Sequence, residues 1–477
     1  MRVRRISELI ELMQPAAIEL VGDDADVGPD VVIDNRDATP GALFIALPGE
    51  RVDGHSFAPA AVAAGAAGVV GMHLTDADVP HILAADSVDA LSWLARGVVA
   101  EARARGMLSI GITGSSGKTS TKDLMAQVFE AVGPTVAPKG SQNNEIGVPL
   151  TACRVADDTA YLVSEMGSRG VGHIAWLTSL IGLDIGVCLN IGRAHVGEFG
   201  DMETTAEAKS EIVAAVGEHG WAVLNADDAL VAGMADATRA RIAWFGEHEP
   251  VGGDLRVTAR DVVLNPLSQA SFTLVVSDGE GERTAAVKLG VIGRHQVANA
   301  LAAAAAALAA GLDLGLVAEA LSGATSRSRW RMELTRSPGG VLVLNDAYNA
   351  NPDSMSAGLR TAVELAIGSR IEHPDARVIA VLGDMLELGS ASAQLHREVG
   401  VLAAELGVDE VVAVGSFADE IVAGATSSGH AARAANRDEV ASSLSLGPGD
   451  VVLIKGSRGV GLEIVAAELV ARDGETS

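Results

Sequence analysis

Ten consecutive residues, Gly111-Ile112-Thr113-Gly114-Ser115-Ser116-Gly117-Lys118-Thr119-Ser120, have the types and order that hold a polyphosphate. Glycines let the backbone curl so that successive N–H groups face phosphate oxygens. The N-terminus of a following helix adds a partial positive charge. Lys118 can reach the β- and γ-phosphates, and the Thr119 hydroxyl can bind Mg2+. The strict phosphate-loop pattern puts its first glycine at position 112, which is Ile112 here; the glycine falls at Gly111 instead. A plain Gly/Ser turn is the alternative, but strand, loop, Lys-Thr pair and helix follow in the order that a phosphate site needs. Three more residues could carry charge or metal: Glu165 in Ser164-Glu165-Met166-Gly167, His195 in Asn190-Ile191-Gly192-Arg193-Ala194-His195, and Lys209 in Ala206-Glu207-Ala208-Lys209-Ser210. Glu165 and His195 each follow a strand pattern, the place where α/β proteins present ligand groups, and a carboxylate suits Mg2+. On pattern alone the plainer readings are a solvated Glu, a hydrogen-bonded His and a Lys on a helix face.

The elements that must position these groups fall into three blocks. The first, residues 1–106, holds short strands such as Val31-Val32-Ile33 and Gly68-Val69-Val70-Gly71 and closes with a helix over 88–104. The polar segment Arg103-Ala104-Arg105-Gly106 is expected to act as a hinge. The second, residues 107–327, opens with the apolar strand Leu108-Ser109-Ile110-Gly111-Ile112, which runs straight into the loop, and a helix follows over 119–132. Strands at Tyr161-Leu162-Val163, Ile185-Gly186-Val187-Cys188-Leu189 and Trp221-Ala222-Val223-Leu224 then alternate with helices, which argues for a mostly parallel sheet covered by helices. Antiparallel strands over 255–276 look like an insertion, and an alanine-rich buried helix follows over 297–311. The third block, residues 328–477, repeats the alternation with strands at 341–344, 378–382, 411–414 and 451–454. The chain is therefore expected to be α/β: a small α/β N-terminal domain, a central P-loop-type parallel-sheet domain and a C-terminal Rossmann-like domain. The third lacks a glycine-rich fingerprint in its first turn, so nothing argues for NAD.

Composition excludes several classes of function. The formal net charge is −27, so no basic face is available for nucleic acid. An anionic ligand must be held by local groups and metal ions, against the overall field. Two cysteines, Cys153 and Cys188, make no disulfide framework and fit a reducing cytosol. The start of the chain is too polar for a signal-peptide core, and the alanine-rich stretch is too short to span a bilayer. A cytoplasmic protein with no membrane insertion is expected.

The string Thr113-Gly114-Ser115-Ser116-Gly117-Lys118-Thr119 resembles the phosphate loop of the Mur ligases and the folylpolyglutamate synthetases. Segments 34–37 and 41–55, with Asn35, Arg36, Asp53 and His55, look like the UDP-binding N-terminal domain of Mur ligases, which the synthetases lack; Asn35 stands where the family usually has Ser. Segments Ser141-Gln142-Asn143-Asn144, Asn345-Asp346-Ala347-Tyr348-Asn349-Ala350-Asn351 and Leu382-Gly383-Asp384-Met385-Leu386 are similar to the branch that adds D-alanyl-D-alanine. The resemblance implies an ATP- and Mg2+-dependent ligase of peptidoglycan synthesis, acting as a monomer on UDP-N-acetylmuramoyl-tripeptide and D-alanyl-D-alanine. It implies catalytic roles for Lys118, Glu165, His195 and Lys209, the last carbamylated by CO2, with Thr119, Glu165, His195 and Lys209 at the metal. ATP is expected on Gly114, Ser115, Ser116, Gly117, Lys118, Thr119 and Ser120, with His295 and Asn299 near the adenine, Asp346 at the ribose and Arg331 reaching in from the third domain. Asn35, Arg36, Asp53, His55, Asn143 and Asn144 are expected to bind substrate. Arg193 departs from the small residue or Pro usual in the family, and Lys455 in Lys455-Gly456-Ser457-Arg458 matches a family string without an evident role. A ligase of the same kind with another amino acceptor, or a P-loop switch that hydrolyses ATP slowly, are the alternatives.

Overall fold

The computed structural model describes residues 1–49, 52–193, 201–248 and 252–472. The first domain is built on five strands in the spatial order Ala17–Val21, His81–Ala84, Gly68–Gly71, Leu43–Ile45 and Val31–Val32. The first of these is antiparallel to its neighbour and the rest are parallel. The helix Ser87–Ala104 closes the domain, and the Asp86 side chain starts it by accepting hydrogen bonds from the amides of Val88 and Asp89. Its apolar stripe, Leu91, Leu94, Val98 and Val99, enters a core that also holds Ile174, Leu177 and Ile181 of the next domain. The segment expected to be a hinge is pinned. Arg103 pairs with Asp184 at 2.7 Å, and the other Asp184 oxygen accepts the Ser109 amide at 2.8 Å. Polar composition here serves an ion pair rather than solvation.

The central sheet has nine strands. From one edge they run Thr135–Val136, Tyr161–Glu165, Leu108–Thr113, Leu183–Cys188, Val216–Asn225 and Arg241–Gly246, all parallel, and then Leu255–Leu264, Gln269–Asp278 and Gly281–Ile292. The antiparallel strands are thus no separate insertion; they continue the same sheet outward. Leu108–Thr113, the loop-bearing strand, sits between Tyr161–Glu165 and Leu183–Cys188, so the residues that follow all three emerge side by side at one sheet edge. The helix Gln296–Ala309 is apolar nearly all round and buried. Alanine favours the helix, and its methyl groups let the helix pack closely against the loop helix Lys118–Glu130.

In the third domain the order is Glu333–Arg336, Leu342–Asp346, Val451–Lys455, Val378–Gly383, Glu410–Val414 and Ala431–Ala434. All pairs are parallel except the first. Two apolar clusters cover its faces, one around Leu359 and Val399 and one around Val440 and Val465. The last strand of the chain lies between the first parallel strand and Val378–Gly383, so chain order reverses at Lys455, the position where doubly wound sheets open a ligand crevice. Among the described residues no helix is long and apolar enough to cross a membrane.

Candidate active site

The phosphate loop curls between strand and helix as the glycines require. Gly117 has φ +82°, and a β-carbon there would meet Asn299 Oδ1 at 2.6 Å; one at Gly114 would meet the Leu189 side chain at 2.8 Å. Asn190 brackets the loop: its Oδ1 accepts the Ser116 amide at 2.8 Å and its Nδ2 donates to the Ser116 carbonyl at 3.1 Å. Lys118 folds back to donate to the Gly114 carbonyl at 2.5 Å. Burial lowers its pKa, and Arg331 adds to that, while Glu165 pulls it back up. The loop, with Ser115, Ser116, Thr119 and Ser120, lines a cleft of about 630 Å3 between the second and third domains.

One wall of the cleft carries the carboxylate. Glu165 ends its strand fully buried, and its Oε1 accepts from Ser141 Oγ and Asn143 Nδ2, both at 2.7 Å. Thr119 Oγ1 reaches the same Ser141 hydroxyl at 3.4 Å. Among the described residues Glu165 Oε2 is buried with no hydrogen-bond partner. A carboxylate oxygen cannot stay unpaired in a buried place without cost. With hydroxyl and amide oxygens beside it, the donor set is the hard-oxygen kind that suits Mg2+. Lys209, on the helix Met202–Ala214, is 3 % exposed and lines the same cleft. Burial first, and the charge of Lys118 second, bring its pKa down to about 7, so much of it is the neutral amine near neutral pH. His195 lies outside the described residues.

The opposite wall comes from the third domain and the alanine-rich helix. His295 stands at the start of Gln296–Ala309; burial pushes its pKa to about 4, so the ring is neutral. Asn299 accepts from Thr121 Oγ1 at 3.1 Å and donates to Gln296 at 2.9 Å. The Arg331 guanidinium stacks over Tyr348, 4.3 Å from the ring centre, with its Nε buried and unpartnered among the described residues. Asp346 ends its strand, one oxygen accepting the Met332 amide at 3.1 Å and the other the Lys455 ammonium at 2.5 Å. Lys118, Glu165, Lys209, His295, Asn299, Arg331 and Asp346 therefore face one cleft.

The other expected substrate residues divide. Asn143 and Asn144 line the cleft, but the Asn144 side chain also caps Gly147–Ala152, accepting the Gly147 amide at 2.9 Å. Asn35, Arg36, Asp53 and His55 belong to the first domain and do not line it. Arg36 is exposed and paired with Asp34 at 2.5 Å. His55 Nε2 accepts the Met72 amide at 2.8 Å, which leaves Nδ1 as the protonated nitrogen facing Asp53 at 2.6 Å. Both ring nitrogens are thus used within the protein, and His73 stacks on the ring, with centres 4.1 Å apart.

Sequence reasoning did not single out Ser141, Asn190 or Asn351. Asn351 caps the helix Pro352–Ser369 and exchanges hydrogen bonds with Ser116 Oγ at 3.2–3.3 Å. The signal was present: Asn before Pro, with Ser three residues on, is a helix start. Arg193 acquires a partner too. Its amide donates to Asp353 at 3.2 Å and its guanidinium meets Glu398 at 2.9 Å, both across the domain boundary.

Comparisons with known proteins agree with this architecture. Three family models match: the Mur ligase family catalytic domain at residues 30–98, the Mur ligase middle domain at 112–307 and the Mur ligase glutamate ligase domain at 330–458. The UDP-N-acetylmuramoyl-tripeptide–D-alanyl-D-alanine ligase of Mycobacterium tuberculosis (strain ATCC 25618 / H37Rv) is 42% identical over 98% of this chain and 99% of its own. That of Escherichia coli (strain K12) is 34% identical over 97% and 98%. A crystal structure of MurF from Acinetobacter baumannii superposes with TM-score 0.84 at 30% identity, covering 99% of both chains. MurF ligase from Thermotoga maritima in complex with ADP gives 0.75 at 26% identity, covering 94% of this chain and 98% of that one. With full-length relatives at this identity and all three domains matched in order, the chain belongs to the Mur ligase family.

Proposed function

We propose that this chain is the ATP-dependent ligase that joins D-alanyl-D-alanine to UDP-N-acetylmuramoyl-tripeptide. The observation that carries this reading is the convergence of the phosphate loop with Arg331 and Asp346 of the third domain on one cleft, in a chain whose full-length relatives bear that activity in their names. An amide does not form from a free carboxylate in water, so the carboxylate must be activated. The γ-phosphoryl of ATP passes to the terminal carboxylate of the tripeptide, giving an acyl phosphate and ADP. The free amine of D-alanyl-D-alanine attacks the acyl carbon, and phosphate leaves from the tetrahedral intermediate. Loop amides and Lys118 hold the transferring phosphoryl group, Arg331 neutralises it from the far wall, and the two domains exclude water. Thr119 and Glu165 would hold Mg2+, joined on the family resemblance by His195 and a carbamylated Lys209; when bound, Mg2+ neutralises phosphate charge.

Residues 1–106 take the UDP end, 107–327 hold ATP, and 328–477 close on it. In this reading the enzyme acts as a monomer. The cytoplasm is the compartment that fits: Cys153 and Cys188 are buried free thiols. Mass spectrometry of the product formed from ATP, D-alanyl-D-alanine and defined UDP-muramoyl peptides tests the activity. The expected product is the pentapeptide, with phosphate release requiring both acceptor and donor. Phosphate release indifferent to both substrates would instead mark an ATP-hydrolysing switch.

A further inference from the structure

Lys455 is a lysine that the mechanism above does not use. It is 1 % exposed, at the end of the last strand, where chain order in the third sheet reverses. Its stem passes Gly358 of the helix Pro352–Ser369; a β-carbon there would lie 3.1 Å from Lys455 Cδ. Its ammonium donates to Asp346 Oδ2 and, at 2.9 Å, to the carbonyl of Asn349. Both acceptors lie in the loop from Asp346 to Asn351. That loop carries Tyr348, which supports Arg331, and Asn351, which touches Ser116. A buried cation is a costly way to hold a turn, since an apolar residue of the same volume often does as well for stability. What the cation adds is a carboxylate held in one direction.

We propose that Lys455 is a positioning residue for the nucleotide. It holds Asp346 through the ion pair and keeps it turned toward the cleft, so that the carboxylate is ready to accept hydrogen bonds from the hydroxyls of the nucleotide sugar. The proposal rests on the reading that the nucleotide sugar meets Asp346. Charge-assisted hydrogen bonds of this kind depend on both charge and direction.

The test is a double-mutant cycle on the full chain with steady-state kinetics in ATP. Lys455→Met keeps the stem and removes the charge. It is expected to raise KM for ATP about tenfold and to change kcat less than about threefold, because an interaction made equally in ground and transition states appears in KM. In an Asp346→Asn background the same change adds less than about twofold, since Lys455 acts through Asp346. Lys455→Gln removes the charge but keeps an N–H donor, so it is expected to raise KM less, about threefold, and it replaces the methionine variant in the cycle if that variant does not fold. An unchanged KM in the charge-removed variant, or effects that simply multiply in the double variant, overturns the proposal. A parental KM in Asp346→Asn alone overturns the placement of the sugar on which it rests.

Discussion

The two junctions between the three domains are built from opposite materials. At the first, the helix Ser87–Ala104 lays Leu91, Leu94 and Val98 into the same core as Leu177 and Ile181 of the central domain, and Arg103 with Asp184 seals its edge. At the second, polar contacts dominate, Ser116 with Asn351, Arg193 with Asp353 and Glu398, Ser268 with Glu364, beside the apolar contact of Ile292 with the third domain's core. The first junction is dry, whereas the second encloses a cleft of about 630 Å3. Separating apolar faces costs about 25 cal/mol per Å2, while a polar contact that parts is largely replaced by water. The comparison teaches where the molecule can open. The polar junction is the one expected to part, with the first two domains staying together as one platform.

The largest expected effect is at the second junction's chemical centre. Lys118→Ala should lower ligation by at least about 100- to 1,000-fold, the scale of losing one preorganised charge in a phosphoryl-transfer site. Its thermal unfolding should stay near the parent's, because no core cavity opens; near-normal turnover at saturating ATP would sink the loop's assignment. Lys209 comes next. Lys209→Ala should lose most activity and regain part of it with a small carboxylic acid, while Lys209→Arg stays inactive, since guanidinium cannot form a carbamate. The pH dependence has a definite sign. With its pKa lowered to about 7, the amine is mostly neutral above that pH and mostly protonated below. A 13C carbamate signal from labelled CO2 should be strong at about pH 8 and fade by about pH 6; an arginine variant as active as the parent would end the carbamate idea.

The first junction predicts a different phenotype. Leu177→Ala should cost about 2–5 kcal/mol of unfolding free energy in denaturant titration and leave the KM for ATP unchanged in the folded fraction. A shifted KM without lost stability would mean that the junctions are not separate. The smallest effect belongs to the Arg193–Glu398 pair, whose side chains are 49% and 42% exposed. Removing either partner should change domain closure by less than about 1 kcal/mol, as solvent screens such pairs. Small-angle scattering of the nucleotide-free protein should show slight opening in Arg193→Ala, and the difference should shrink at high salt.

Sequence reasoning reaches furthest where local chemistry demands particular residue types in a row. The phosphate loop is legible because only small residues fit its turns, and Glu165 is legible because it stands where a parallel strand ends. It reaches least where partners are remote. Ser116 and Asn351 are 235 residues apart, and Lys455 and Asp346 are 109 apart. Nothing local in either segment announces the other. The 103–106 segment misleads for a related reason: arginines look alike whether they face water or an aspartate 81 residues away. Likewise the strands near 255–276 have an antiparallel pattern, but only the pairing of Leu255 with Ala243 reveals that they extend the central sheet.

The strand order of the third domain also governs when the cleft can come into being. Leu342–Asp346 has two neighbours, the short strand Glu333–Arg336 and the last strand, Val451–Lys455. During synthesis the chain emerges N-terminal end first, and domains fold as their pieces arrive. The first two domains can therefore be complete, phosphate loop included, while Leu342–Asp346 still waits for its partner strand, whose Lys455 lies 109 residues beyond Asp346. Until Lys455 has been made, Asp346 has no cation and the two halves of the sheet have no seam. A nascent chain would own the phosphate grip long before it owned the sugar side of the site, so nucleotide capture waits for the last strand of the third sheet to be made.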